Sequence, residues 1–87
     1  MEIKKELIKR DIAGDTVLVP VGKTVMENNG LFILNELGSF IWDMLPELGS
    51  EEEAVSAVLR EYDIDEDTAR SDTAEFFEKL RGFGIID

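Results

Sequence analysis

The chain has 87 residues and a net charge of −11, and it contains neither cysteine nor histidine. This length fits one domain, residues 1–87, with a core of its own, and an apolar content of 44% argues against disorder. Without cysteine and histidine the chain has no disulfide, no thiolate or imidazole metal site, and no thiol nucleophile or histidine base.

The charge is distributed unevenly along the chain. Residues 1–10 carry a balance of +2, whereas residues 47–78 hold twelve acidic side chains against two basic ones, a balance of −10. The acidic excess is either a solvated, solubilising surface or a surface that attracts a basic partner. Neither a membrane-spanning apolar run nor a signal-peptide pattern is present, so we expect a soluble, cytoplasmic protein.

Three strands are predicted in the first part of the chain. Residues 5–14 predict a first strand that ends in a turn at Gly14, and residues 16–21, β-branched and apolar, predict a second. Asn29-Gly30 is a turn signal that leads into a third strand over residues 31–34.

Three helices follow the strands. Asn35 is a good N-cap for a helix over residues 36–45, whose apolar residues recur at spacings of three and four. Ser50 begins a capping box at the start of the second helix. Asp65 precedes the third helix, which we expect to end in a left-handed cap at residues 82–84.

The order β-β-β-α-α-α predicts an α+β fold in which a three-stranded antiparallel sheet packs beside three helices, as in a winged helix-turn-helix. Trp42 is expected in the core of this fold. Phe76 belongs to the inward stripe of the third helix. Phe77 is rotated from Phe76 by about 100° and either widens the buried stripe or lines a groove on the helix flank.

The sequence does not show what covers the outer edge of the third strand. Exposed edges are normally blunted by charge, proline or bulges, and residues 31–34 carry none of these. Alternation places Phe32 and Leu34 on one face and Leu31 and Ile33 on the other, and leaves open which face meets the third helix. Either a loop, a helix or a second copy of the chain covers the edge, or its unpaired backbone groups await a peptide that adds as a strand.

No motif for catalysis or cofactor binding is visible. The acidic clusters at residues 51–53 and 63–67 lack the spacing and the glycine of a calcium loop, and there is no phosphate-binding glycine loop. Capping and solubility account for most carboxylates. We therefore expect no enzymatic activity, no cofactor and no metal site.

Three segments together resemble the PqqD-like family, over about residues 7 to 86. They are a strand ending in glycine, a helix with a spaced Asn, Gly and Trp, and a helix with Asp followed by Phe and Leu. The matching residues are Gly14, Asn35, Gly38, Ile41, Trp42, Asp72, Phe76 and Leu80. The resemblance implies a winged-helix domain that binds the leader of a ribosomally made precursor peptide without catalysis. It also implies that the domain presents this peptide to a modifying enzyme, often a radical S-adenosylmethionine (radical SAM) enzyme; the founding member acts in pyrroloquinoline quinone (PQQ) biosynthesis.

The same resemblance assigns a binding site. In this family the leader adds as a fourth strand beside the third strand and packs against the third helix. Carried over to this chain, the site comprises the strand residues Leu31, Phe32, Ile33 and Leu34 and the helix residues Arg70, Asp72, Thr73, Phe77 and Arg81. Arg70, Thr73, Phe77 and Arg81 would form one flank of the helix. Arg70 or Arg81 would pair with an acidic leader.

Two other functions fit the same elements. A winged-helix transcription regulator would need a basic recognition helix, whereas these helices are rich in Glu and Asp. A structural dimerisation module would use the exposed edge on itself and form a homodimer. The sequence leaves open the precursor peptide, the pathway, the modifying enzyme and the oligomeric state.

The acidic balance of residues 47–78 predicts that the protein does not bind duplex DNA, because such a surface repels phosphates. Fluorescence anisotropy with a labelled random duplex at physiological salt should show no binding. Salt-sensitive binding at about micromolar concentration or below would contradict this prediction.

Overall fold

The computed structural model describes residues 1–22 and 32–87. Its elements, in chain order, are β1 (Leu7–Ile12), β2 (Asp15–Pro20), β3 (Phe32–Leu34), α1 (Glu36–Met44), a 3₁₀ turn (Leu45–Glu47), α2 (Glu51–Glu61) and α3 (Glu66–Gly82). The strands form one antiparallel sheet in the order β1-β2-β3. The predicted α+β arrangement, with three strands before three helices, is confirmed. The predicted Asn29-Gly30 turn and Leu31 lie outside the described residues.

A two-residue turn joins β1 to β2. Ala13 has a φ of 52° and Gly14 a φ of 88°, and Ile12 faces Asp15 across the turn. Positive φ at both central residues is the signature of a type I′ turn, whose twist matches that of the strands it connects. Gly14 adopts this conformation without the steric cost of a side chain, which is why the strand ends there.

The register of the sheet decides which face of β3 meets the helices. Thr16 lies opposite Leu34, and Leu18 lies opposite Phe32. Leu18, Phe32 and Leu34 are buried in the core, whereas the side chain of Ile33 is 66% exposed. Phe32 and Leu34 therefore face the helices, and Ile33 lies on the outer face of the sheet.

Helix α1 follows β3 after a single residue. That residue is Asn35, whose side-chain oxygen accepts a hydrogen bond of 2.8 Å from the backbone N–H of Gly38, as expected of an N-cap. Lys9 of β1 donates to the hydroxyl of Ser39, at 3.0 Å, and to the carboxylate of Asp43, at 2.6 Å. These contacts hold the middle and the last turn of α1 against the sheet.

The three helices enclose the core with the inner face of the sheet. Ser50 caps α2 by accepting from the N–H of Glu53, as the sequence predicts. Trp42 lies in the core, which confirms its predicted position. In the described part of the chain, no helix is long and apolar enough to cross a membrane.

Helix α3 ends in a left-handed cap. Gly84 has a φ of 71°; its N–H donates to the carbonyl of Arg81, and the N–H of Ile85 donates to the carbonyl of Leu80. This pair of hydrogen bonds is a Schellman motif, and it turns the chain so that Ile85 is buried. The turn leaves the side chain of Phe83 47% exposed at the end of the helix.

Phe77 is fully buried, with 0% exposure, and so the alternative that placed it on an open groove flank is wrong. Phe76 beside it is also buried, at 8% exposure. Helix α3 packs against α2 on one side and lies against the sheet on the other, so it needs a wide apolar face. Two consecutive phenylalanines supply that width.

Replacing Phe77 with Ala should lower the free energy of unfolding by about 3–5 kcal/mol, because it removes a fully buried ring and leaves a cavity. The matched control is Phe83→Ala, which removes the same ring from a half-exposed position and should cost about 1 kcal/mol. Urea unfolding followed by circular dichroism measures both values. Equal losses in the two variants would contradict the core position of Phe77.

Candidate functional site

A groove of about 560 Å³ runs between the free edge of β3 and helix α3. The strand, the first turn of α1 and one face of α3 form its walls. Its lining residues are Asp15, Phe32, Ile33, Leu34, Asn35, Leu37, Asp72, Glu75, Phe76 and Lys79.

The strand side of the groove is a row of backbone groups. β3 pairs with β2 along one edge, and no strand within residues 1–22 and 32–87 pairs with its other edge. In an antiparallel strand, the N–H and C=O groups of alternate residues point to opposite neighbours. Part of the hydrogen-bonding capacity of β3 is therefore directed at the groove, where an extended chain can bind it.

Two phenylalanine rings, Phe32 and Phe76, line the groove, and a third, Phe83, packs against Phe32. The ring of Phe32 makes edge-to-face contacts with Phe76, at a centroid distance of 6.1 Å, and with Phe83, at 5.1 Å. Such contacts are favourable beyond simple burial. They join the short edge strand to both the middle and the end of α3, so the width of the groove is fixed by packed rings.

Helix α1 approaches the groove closely at Gly38. A Cβ atom on this glycine would lie 3.0 Å from Cε1 of Phe76 and 3.2 Å from the capping oxygen of Asn35. The absence of a side chain at Gly38 thus lets the ring of Phe76 take its place beside Phe32. This contact explains why a glycine in this helix suits the site.

The predicted strand residues line the groove, with one outside the described range. Phe32, Ile33 and Leu34 are among the lining residues, and so is the helix residue Asp72. Leu31 lies outside the described residues. Thus the structure brings the predicted strand residues 32–34 and one predicted helix residue, Asp72, to the same groove.

The helix flank predicted for the site is wrong. Thr73 and Phe77 are in the core, with exposures of 1% and 0%. Arg70 binds Glu52 through two hydrogen bonds of 2.7 Å, and Arg81 binds Glu51 and lies 5.9 Å from the ring centre of Phe77. This line of residues faces α2, not the open strand.

The arginine on this flank is bound tightly to α2 and to its own helix. The hydrogen bonds that Arg70 donates to the carboxylates of Glu52 and Glu66 raise its pKa above the usual value. The same guanidinium lowers the pKa of the Glu52 carboxyl. Arg70 is thus already paired, and it does not offer its charge to a ligand in the groove.

The groove-facing residues of α3 that the sequence analysis missed are Glu75, Phe76 and Lys79. Together with Asp72 they recur at spacings of three and four, which is the pattern of a single helix face. Phe76 was assigned to the inward stripe, and it does serve the core, but its ring also forms the groove wall. The sequence carries no signal for this choice, because charged residues border the buried stripe on both sides, Asp72 and Glu75 on one and Arg70 and Arg81 on the other.

The groove has an acidic balance. Asp15, Asp72 and Glu75 line it together with a single basic residue, Lys79, which lies 3.5 Å from Glu75 on the same helix. Among the described residues, neither Asp15 nor Asp72 takes part in an ion pair. The lining therefore carries two uncompensated negative charges.

Comparison with known proteins connects this architecture to peptide recognition. The family model described as coenzyme PQQ synthesis protein D (PqqD) matches residues 15–86. The solved structure of TbiB1 in complex with the TbiA(beta) leader peptide is similar, with a TM-score of 0.72 and 28% identity. The match covers 100% of this chain and 95% of the TbiB1 chain. No curated protein sequence matches the chain.

Replacing Gly38 with Ala should destabilise the protein by about 1 kcal/mol, because overpacking against Phe76 outweighs the higher helix propensity of alanine. The matched control is Gly82→Ala on α3, where an added Cβ meets nothing within 4 Å. That variant should be stabilised by about 0.5–1 kcal/mol. Thermal and urea unfolding measure both, and equal stabilisation of the two variants would contradict the close contact at Gly38.

Proposed function

This chain belongs to the PqqD family, and we propose that it is a non-catalytic domain that binds the leader of a ribosomally made precursor peptide. In this proposal the leader adds as a fourth strand along the free edge of β3 and packs on α3. The domain then presents the peptide to a modifying enzyme, which is a radical SAM enzyme in many pathways of this family. PQQ biosynthesis is the pathway after which the family is named.

The observation that carries the proposal is the free edge of β3 beside a preformed groove. Strand addition needs a row of unpaired backbone groups and adjacent pockets for alternate side chains. β3 supplies the first within the described part of the chain, and the rings of Phe32 and Phe76 supply an apolar surface for the second. The similarity to TbiB1, a structure solved with a leader peptide, supports the same use of this fold.

The charge of α3 argues against a transcription regulator. The helix carries five acidic residues and three basic ones, and the arginines Arg70 and Arg81 are paired with acids of α2. A helix that enters the major groove needs an excess of basic side chains that are free to contact phosphates. The same surface tolerates a peptide, whose backbone carries no net charge.

The test uses the leader of the short precursor encoded nearest to this gene. Titration of the protein with this synthetic peptide should shift the backbone amide signals of residues 32–34, with a Kd on the order of micromolar because one short strand and one helix face make a small interface. Hydrogen exchange should also slow for those amides of β3 that point into the groove. Unchanged shifts and exchange at β3 on saturation with a bound peptide would rule out strand addition.

Two substitutions at one position separate backbone pairing from side-chain packing. Ile33→Ala keeps the backbone N–H and removes only an exposed side chain at the rim of the groove, so it should weaken leader binding less than Ile33→Pro does. Ile33→Pro also removes an N–H and fixes φ. If this N–H points to the groove, the folded variant should lose leader binding; if it points to β2, thermal unfolding will reveal the broken sheet.

If the N–H of Ile33 points to β2, the amides that face the groove are those of Phe32 and Leu34. Slower hydrogen exchange of these two amides on leader binding then tests strand addition without a variant. Sedimentation velocity over a range of concentrations distinguishes a further outcome, in which a second copy of the chain occupies the edge. A dimer that the leader does not displace would favour a structural dimerisation module over peptide recognition.

A further inference from the structure

The charge on the groove narrows the kind of peptide that fits it. Lys79 and Glu75 compensate each other at 3.5 Å, so Asp15 and Asp72 set the net charge of the lining at −2. The nearest arginines of α3 are already bound to α2. Arg70 pairs with Glu52, and Arg81 pairs with Glu51.

The groove also has a direction. At the start of β3, Phe32 contacts Phe83, which directly follows the C-terminal end of α3. Gly38, which follows the strand, lies against Phe76. Phe76 comes one turn after Asp72 on α3. The strand and α3 therefore run in opposite directions, and Asp72 lies towards the Leu34 end. Asp15 lies at that end too, because the residue after it, Thr16, pairs with Leu34.

We propose, on the basis of the proposed function, that the groove selects a leader segment with a large apolar side chain and a lysine or arginine two residues away from it. In an added strand, alternate residues face α3 at a spacing of about 6.6–6.8 Å. Phe76 and Asp72 are four residues apart on the helix, which is about 6 Å. The apolar side chain packs on Phe32 and Phe76, and the basic side chain pairs with Asp72.

This inference reverses the expectation from sequence that an arginine of α3 pairs with an acidic leader. A carboxylate in the peptide at this position would face Asp72 across the groove and be repelled. A lysine or arginine would instead place its charge beside two carboxylates without a partner and its methylene stem on the aromatic surface. The groove thus combines apolar anchoring with selection by charge.

The experiment is a display selection of a random 14-residue peptide library against the whole protein, carried out in parallel with the variants Asp72→Lys and Glu78→Lys. Glu78 is exposed on the same helix and does not line the groove, so its substitution changes the net charge of the protein equally. Enriched peptides are synthesised, and their binding is located by amide shifts of residues 32–34. Asp72→Asn, which removes the charge without reversing it, serves as a milder variant.

The expected result is enrichment of Lys or Arg two residues from a large apolar residue on the wild-type protein and on Glu78→Lys. Asp72→Lys should lose this preference and bind the selected peptides about tenfold more weakly, while Glu78→Lys stays within about twofold. The difference should shrink as salt rises, since exposed ion pairs are screened over about 8–10 Å.

Groove-bound peptides without this enrichment, or equal affinities for the two lysine variants, would overturn the charge selection and leave the proposed function standing. Enriched peptides that shift no amide of residues 32–34 would overturn both.

Discussion

The packing of Phe32 against the rings of Phe76 and Phe83 is the contact on which the site depends. β3 has three residues, and among residues 1–22 and 32–87 it pairs only with β2, so these hydrogen bonds provide little to hold it in place. Its position is fixed instead by the contacts of Phe32 with Phe76 and Phe83 and by the burial of Leu34. One edge of β3 is hydrogen-bonded to β2, and the other edge is held at a fixed distance from α3. A peptide that pairs with this second edge requires that geometry.

An open edge is also a liability, since an unpaired strand can pair with another copy of the same chain. The usual defences, a charge or a proline on the strand, are absent from Phe32–Leu34. Acidic residues lie near the strand instead. Asp72 and Glu75 of α3 line the groove beside its edge, and each molecule carries a net charge of −11. Two copies that approach edge to edge repel each other, whereas a short peptide of opposite charge does not. If the groove binds peptides as we propose, the same acidic surface would disfavour pairing between two copies at this edge.

The sequence predicts the elements well because their signals are local. The cap at Asn35, the cap at Ser50 and the positive-φ glycine at Gly84 each depend on a few neighbouring residues, and all are found as expected. The unprotected apolar strand is equally local, and its residues 32–34 line the groove in the structure. The side chains of Phe32 and Leu34 could be paired by alternation, but only the register with β2 showed that they face the helices.

The flank of α3 could not be predicted in the same way. Helical periodicity locates the centre of the buried stripe, but it does not say which neighbour lies on either side of it. Phe77 and Asp72 border this stripe on opposite sides, and only the packing of α2 on one side and β3 on the other distinguishes them. A pattern with two equivalent flanks leaves this choice to tertiary structure.

That choice also decides the sign of the charge that the groove offers. Arg70 and Arg81 lie on the flank that meets α2, where the first-turn acids Glu52 and Glu51 bind them. Arg70 and Arg81 lie about half a turn around the helix from Asp72 and Glu75. Had α3 presented that opposite flank, the arginines would border the strand and the groove would favour acidic peptides. The contacts that dock α2 on α3 therefore also place Asp72 beside β3, where it forms no ion pair with another described residue. In this way the preference of the groove is set partly by side chains that do not line it.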